Sequence, residues 1–145
     1  MSLERFSRRM KKRANNVSRE INRVKRQVAL AVDQTVVTST PVDTGRARSN
    51  WIVSLGEPSG EIFEPYAPTS KGGIGETANA QAAIAQGEQQ INQVQPGQAI
   101  NITNNVEYIK PLNEGSSAQA PAMFVEAAVK VGTEAVKSAK IDTGR

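Results

Sequence analysis

Cysteine and histidine are both missing from the 145 residues. The first absence excludes disulfide stapling and thiolate chemistry; the second removes the usual neutral-pH proton shuttle and the commonest metal ligand. Aromatic residues are scarce at 4%, namely Phe6, Trp51, Phe63, Tyr66, Tyr108 and Phe124. The core must therefore be built from Val, Ile, Leu and Ala, which individually bury less area than rings do, and such a core is marginal alone. No apolar run approaches the roughly 18 residues that span a bilayer, and the N-terminus lacks the apolar stretch of a signal peptide. The chain reads as soluble, made in the cytoplasm and without a membrane partner, and its length suits one domain with one modest core.

What is present is charge, unevenly placed. The overall net charge is +4, but residues 1–26 carry ten Lys/Arg against Glu4 and Glu20, a net +8, while the remainder is −4. A basic arm thus sits on an acidic body. The arm is also periodic: Leu3, Phe6, Met10, Ala14, Val17, Ile21, Val24, Val28 and Ala31/Val32 recur at spacings of three and four, which places them on one helical face. The spacing predicts a helix ending by Thr40, because Pro41 lacks an amide proton and disfavours helical geometry just before it. Asn15-Asn16 is its weak point. About 35 residues make a rod of about 50 Å, against a radius of gyration of about 15 Å for a compact chain of this size. The rod must bend, or project and pack on another subunit. Leu3, Met10, Val17, Ile21, Val24 and Val28 form a narrow seam, whose partner is another element of the chain or a neighbouring copy; both remain open.

Beyond the rod, Pro41-Val42-Asp43-Thr44-Gly45 has the composition of a tight turn. Ser49–Leu55 alternates, with Trp51, Val53 and Leu55 on one side, predicting a strand with one buried face; a second short strand is expected at 61–64. Residues 65–76 hold too many Pro and Gly for regular structure. Thr77–Val94 is rich in Ala, Gln and Asn and predicts a helix, weakened by Gly87 and stopped at Pro96-Gly97. Ala99–Thr103 and Val106–Ile109 favour strands, separated by a turn at Asn104-Asn105. Pro121 suits the first position of a helix running to about Lys137, with Phe124, Ala127/Ala128, Val131 and Ala135 as its apolar stripe and Glu126–Lys130 as a favourable pair.

Catalytic patterns are weak. Asp43-Thr44-Gly45 superficially matches the tripeptide of aspartic proteases, in which two carboxylates share a proton, but a long helix and Pro41 precede it; the turn reading explains it better. The second Asp-Thr-Gly-Arg, at 142–145, has no flanking similarity to the first and is read as chance. Ser70–Gly75 lacks the order of a phosphate-binding loop. The carboxylates are scattered, without calcium-loop or two-metal spacing, so no cofactor is expected and the chain is not read as an enzyme. The arm is the one electrostatic feature. Arg5, Arg8, Arg9, Lys11, Lys12, Arg13, Arg19, Arg23, Lys25 and Arg26 are candidates for contact with DNA phosphates or an acidic partner; without interleaved aromatics or base-reading amides, any DNA contact is independent of sequence.

Two blocks carry a family likeness: Thr40-Pro-Val-Asp-Thr-Gly-Arg-Ala-Arg-Ser-Asn-Trp51, and Ile102-Thr-Asn-Asn-Val-Glu-Tyr-Ile-Lys-Pro-Leu-Asn-Glu-Gly115 continuing to Gln119-Ala-Pro-Ala-Met-Phe-Val125. They resemble the neck and tail-completion proteins of tailed bacteriophages, a lambda Z-like group of minor virion components. The family's turn after a long first helix falls on Val42 to Arg46, including Asp43, Thr44 and Gly45. Its Asn-Asn-x-x-Tyr strand falls on Asn104, Asn105 and Tyr108, its loop on Leu112 to Gly115, and its helix start on Gln119 to Pro121. Glu107, Asn113 and Ala122 depart from the usual proline, glutamate and glycine. The resemblance implies a structural virion protein, assembled in the host cytoplasm, that forms a ring, of six by preference or of twelve. That ring would join portal or adaptor to tail terminator or tail tube around the DNA channel. Arg46 and Arg48, just after the turn, are the candidates for contacts between subunits or to the portal side, since guanidinium forks pair well with carboxylates. A small DNA-binding or packaging-associated protein using the basic arm is the alternative.

The fold expected is a single α+β domain: a long N-terminal helix (1–40), a turn and first strands (41–64), a loop and Ala/Gln-rich helical insertion (65–98), strands and loop (99–120), a C-terminal helix (121–140) packed on a small, mostly antiparallel sheet, and a tail (141–145).

Overall fold

A 37-residue helix, α1 (Leu3–Ser39), forms the spine of the protein. The computed structural model describes residues 2–41, 45–67, 75–118 and 122–142; the expectations for Asp43, Thr44, Gln119 and Pro121 and for most of the glycine-rich loop lie outside these. The Ser2 side chain accepts a hydrogen bond from the Arg5 amide at 3.2 Å, and Glu4 sits in the first turn, where the helix dipole favours an acid. The helix runs unbroken through Asn15-Asn16 and stops where Pro41 predicts. Thr40 turns extended, with ψ 127°, and its hydroxyl donates back to the Val36 carbonyl at 2.6 Å.

From Gly45 the chain enters a single helical turn, α2 (Arg46–Ser49), and then strand β1 (Ile52–Leu55). Helix α3 (Gly75–Ile91) follows, then strand β2 (Ile100–Thr103), a short α4 (Ile109–Asn113) and α5 (Phe124–Ser138). The sheet has two antiparallel strands, with Ile52 opposite Thr103 and Leu55 opposite Ile100. Helix α3 lies between α1 and β1, and α5 runs along α1. The mixed class is as expected; the C-terminal helix, however, has α1 and not the sheet as its principal partner.

The core gathers where these elements converge on the C-terminal half of α1. Val36, Val37, Trp51, Ala80, Ala83, Phe124 and Ala128 form the main cluster, and Ala29, Val53 and Ile91 a second. Small residues let the helices approach. A Cβ at Gly87 would overlap the Asp33 carboxylate and lie 3.1 Å from Val53 Cγ2; one at Gly132 would lie 2.5 Å from Val32 Cγ2. Gly87, expected to weaken α3, is thus what lets α3 close onto α1.

Four local expectations are corrected. Ser49 belongs to α2, and β1 begins at Ile52, buried together with Val53, so the single buried face is not observed. Residues 61–64 form no strand: the Asn50 side chain takes the place of a strand neighbour, accepting from the Phe63 amide at 2.6 Å and donating to its carbonyl at 2.8 Å. Val106–Ile109 turns into α4, whose Pro111 can add nothing to a sheet ladder but fits a first helical turn. Helix α5 begins at Phe124, and its buried face is Phe124, Ala128 and Gly132, while Ala127 and Val131 are exposed. Asn113 sets that start: its side-chain oxygen accepts from the Val125 amide at 2.9 Å and its Nδ2 donates to Glu126 at 2.8 Å, the carboxylate expected to face Lys130.

Candidate interaction surface

The N-terminal part of α1 leaves the rest of the molecule. Residues 2–15 are all exposed, with Leu3 86% accessible and Phe6 and Met10 about half accessible. The first buried residue is Asn22, whose Nδ2 donates to the Val94 carbonyl at 3.1 Å. At 1.5 Å per residue, about 20 Å of rod stands clear of the globule. Of the predicted seam, Leu3, Met10 and Ile21 are exposed, Val17, Val24 and Val28 are half-buried, and only its C-terminal end is covered, by α5 against Val28 and Val32. A groove of about 610 Å³, lined by Met10, Ala14, Val17, Ile21, Pro96 and Gly97 among others, marks where the seam emerges.

The ten basic residues divide at the same place. Arg5, Arg8, Arg9, Lys11, Lys12 and Arg13 are exposed on the projecting part, with Glu4 as their single acid. Of the other four, Arg19, Arg23 and Lys25 hydrogen-bond within the chain, Arg19 donating to Asn16. Arg23 pairs with Glu20 at 3.0 Å and reaches the Lys140 carbonyl at 3.2 Å. Lys25 donates to the Gln98 carbonyl at 2.6 Å. Arg26 lines a shallow pocket with Arg19, Arg23 and Asp142. Arg23 holds Glu20 below its ordinary carboxylate range.

Arg46 and Arg48, expected at a subunit contact, are both committed within the chain. Arg46 pairs with Glu107 at 3.1 Å, and the two shift each other toward their charged forms; Glu107 is lowered first by its own backbone amide and then by Arg46. Arg48 is half-buried, and its Nη2 donates to the carbonyls of Thr38 and Thr40 at 3.2 and 2.8 Å. It supplies the cation that the last turn of α1 lacks. Burial lowers its pKa.

Described residues of the two blocks that carry the resemblance act as joints. Trp51 Nε1 donates to Thr40 Oγ1 at 2.7 Å, so the end of α1 is bolted to the residue before β1. Gly45, at φ +79°, provides the left-handed entry to α2. Asn104 Nδ2 donates to the Ala47 carbonyl at 2.8 Å, and Asn105 Nδ2 to that of Ser59 at 2.8 Å, pinning residues 59–61. Tyr108 stands at the N-cap position of α4 without a side-chain capping bond and is exposed; Leu112 packs on the main core. Gly115, at φ +99°, lies where a Cβ would be 3.1 Å from Ala122. Pro41 is buried.

Sequence reasoning missed two features. Gln86 of α3 accepts from the Val53 amide and donates to the Val53 carbonyl, at 3.2 and 3.0 Å, closing the open edge of β1. Asp33 is fully buried, with no hydrogen-bond partner for either carboxylate oxygen, and burial, then Glu88, pushes its pKa up to about 7. An acid within the largely apolar stretch from Val28 to Val37 was the only signal for it. Among the described residues no group of three His, Cys, Asp or Glu could hold a metal, and no helix is long and apolar enough to cross a membrane.

No protein-family model, no curated protein and no solved structure matches the chain.

Proposed function

We propose that the protein is a structural subunit of a tailed-bacteriophage virion, one copy in a closed ring that joins head to tail around the DNA channel. The observation that supports this most is the rod that outruns its own globule: fourteen residues at positions 2–15, none buried, present Leu3, Phe6 and Met10 beside six cations. An apolar helical face of that length finds burial only against another chain. A second exposed apolar stripe, Val129 and Val136 on α5, gives a further surface for contacts of the same kind. The resemblance of the Thr40–Trp51 and Ile102–Val125 blocks to neck and tail-completion proteins supplies the virion setting. Two separated surfaces on one subunit suit head-to-tail packing, which generates a ring when the rotation closes.

The test is native mass spectrometry of the purified chain together with particle imaging, at virion-like salt. A closed ring is expected, of six copies or else twelve. A strict monomer at high micromolar concentration overturns the proposal.

A further inference from the structure

The projecting tip of α1 has a counterpart on the same molecule. The segment Glu57–Tyr66 runs across the surface beside β1 with Ile62, Phe63 and Tyr66 all more than 40% accessible and with Glu57, Glu61 and Glu64 exposed in the same stretch. No lysine or arginine stands between Arg48 and Lys71. The three glutamates form no ion pair with any described residue, and Arg46, the cation that feels Glu64, is already paired with Glu107. Side chains of this segment, β1 and α3 enclose a groove of about 740 Å³, lined by Leu55, Glu61, Phe63, Glu64, Tyr66 and Gln90 among others. Its walls are held in place by Asn50, which grips Phe63 by both amide and carbonyl, and by Asn105 on Ser59.

Tip and groove are complementary in kind. On the tip, Leu3, Phe6 and Met10 fall on one helical face, with Arg13 along one edge and Lys11 along the other, and residues 2–15 carry a net +5. In the groove, Glu61 and Glu64 stand among the side chains of Leu55, Phe63 and Tyr66. Two tips facing each other would instead bring like charges together, which costs affinity. A tip cannot reach the groove of its own chain. The groove's inner residue Val53 lies beside Gly87, which abuts Asp33 of α1. From Asp33 to Met10 the unbroken helix covers about 35 Å, and to Leu3 about 45 Å, in the wrong direction to return.

We infer that the N-terminal tip of α1 seats in the Glu57–Tyr66 groove of an adjacent copy, Phe6 and Met10 entering among Leu55, Phe63 and Tyr66 while Lys11 and Arg13 meet Glu61 and Glu64. The inference rests on the ring reading for its biological setting and specifies the contact that would build the ring. Each copy uses its tip once and its groove once, so the interface is heterologous and propagates from copy to copy.

The experiment uses two charge-reversed variants of the full chain, Lys11→Glu/Arg13→Glu and Glu61→Lys/Glu64→Lys. All four sites are exposed, and circular dichroism checks that helix content is kept. Sedimentation velocity and native mass spectrometry then read assembly. Each variant alone is expected to self-associate at least tenfold more weakly than wild type. In an equimolar mixture each tip faces a groove of opposite charge on the other variant, so larger assemblies of alternating copies are expected to return, as they are for a chain carrying all four substitutions. Unchanged rings from the groove variant overturn the docking while leaving the ring intact. A mixture that stays monomeric overturns the docking as well. Should the tip variant lose binding to a 30-base-pair duplex yet assemble normally, the tip belongs to DNA and the inference fails. A wild-type chain that stops at two copies, both variants losing the pair, keeps the docking and removes the ring; a strictly monomeric wild type removes both.

Discussion

At the scale of single residues, Asp33 is the described side chain most at odds with its surroundings, since both of its carboxylate oxygens are buried without a partner. It is fully buried at the contact of α1 with α3, beside Gly87, and without a hydrogen-bond partner. Burying a charge there is costly, so the folded protein favours the protonated acid and its pKa rises to about 7. Because the folded value exceeds the unfolded one, stability falls as pH climbs from about 4 through 7 and then levels off. The full span is on the order of 2–4 kcal/mol. Arg23 holds Glu20 down, and its own backbone amide and then Arg46 hold Glu107 down, so both are shifted away from the window between pH 5 and pH 8 in which melting curves follow Asp33. The wild-type protein is expected to melt at lower temperature at pH 8 than at pH 5, and Asp33→Asn to lose most of that difference; an equal pH slope in the variant contradicts the assignment. Gly87 tests the same contact by shape. Alanine gains about 1 kcal/mol of helix propensity, but its methyl collides with Asp33 and crowds Val53, and overpacking costs about 1–3 kcal/mol. A net loss is expected for Gly87→Ala in chemical denaturation, shrinking in an Asp33→Ala background, where the carboxylate it strikes is gone.

Elements show what a lone sequence discloses and what it hides. The 3.6-residue rhythm from Leu3 and the stop at Pro41 locate α1 within a residue or so, because both are local signals. The strand expected at 61–64 fails for a reason outside its own residues: Asn50, thirteen positions from Phe63, supplies the hydrogen bonds a ladder would have supplied. Helix α5 starts late because Asn113 caps it from a distance, and Arg48 of α2 caps the end of α1. As for the candidate surface, the apolar and basic rows of the tip are readable from spacing, whereas the Glu57–Tyr66 groove is not, since its far wall comes from β1 and α3. Periodicity also could not tell which half of the seam is covered; that was decided by where Ala128 and Gly132 fall against Val28 and Val32. Deleting residues 2–15 removes no buried side chain, so the melting temperature is expected to stay within about 2 °C of wild type while self-association is lost. A large drop in melting temperature would mean the tip stabilises its own globule.

The molecule as a whole is a small aromatic-poor globule fastened to one end of a long rod, with α3 and α5 flanking the rod's covered half. A peptide of fourteen residues is too short to hold a helix in water by itself, because forming the first turn fixes several backbone angles for a single hydrogen bond. The tip escapes that penalty: Ala29 to Val37 are locked into the core, and the coil ahead of them need only propagate from an existing turn. Its order therefore decays outward from Asn22 toward Ser2 and never melts as a separate unit. A binding site that receives this end meets a preformed shape whose outermost turns are still adaptable, so the entropy lost on seating is confined to the last few residues, and the globule behind acts as the seed crystal for its own antenna.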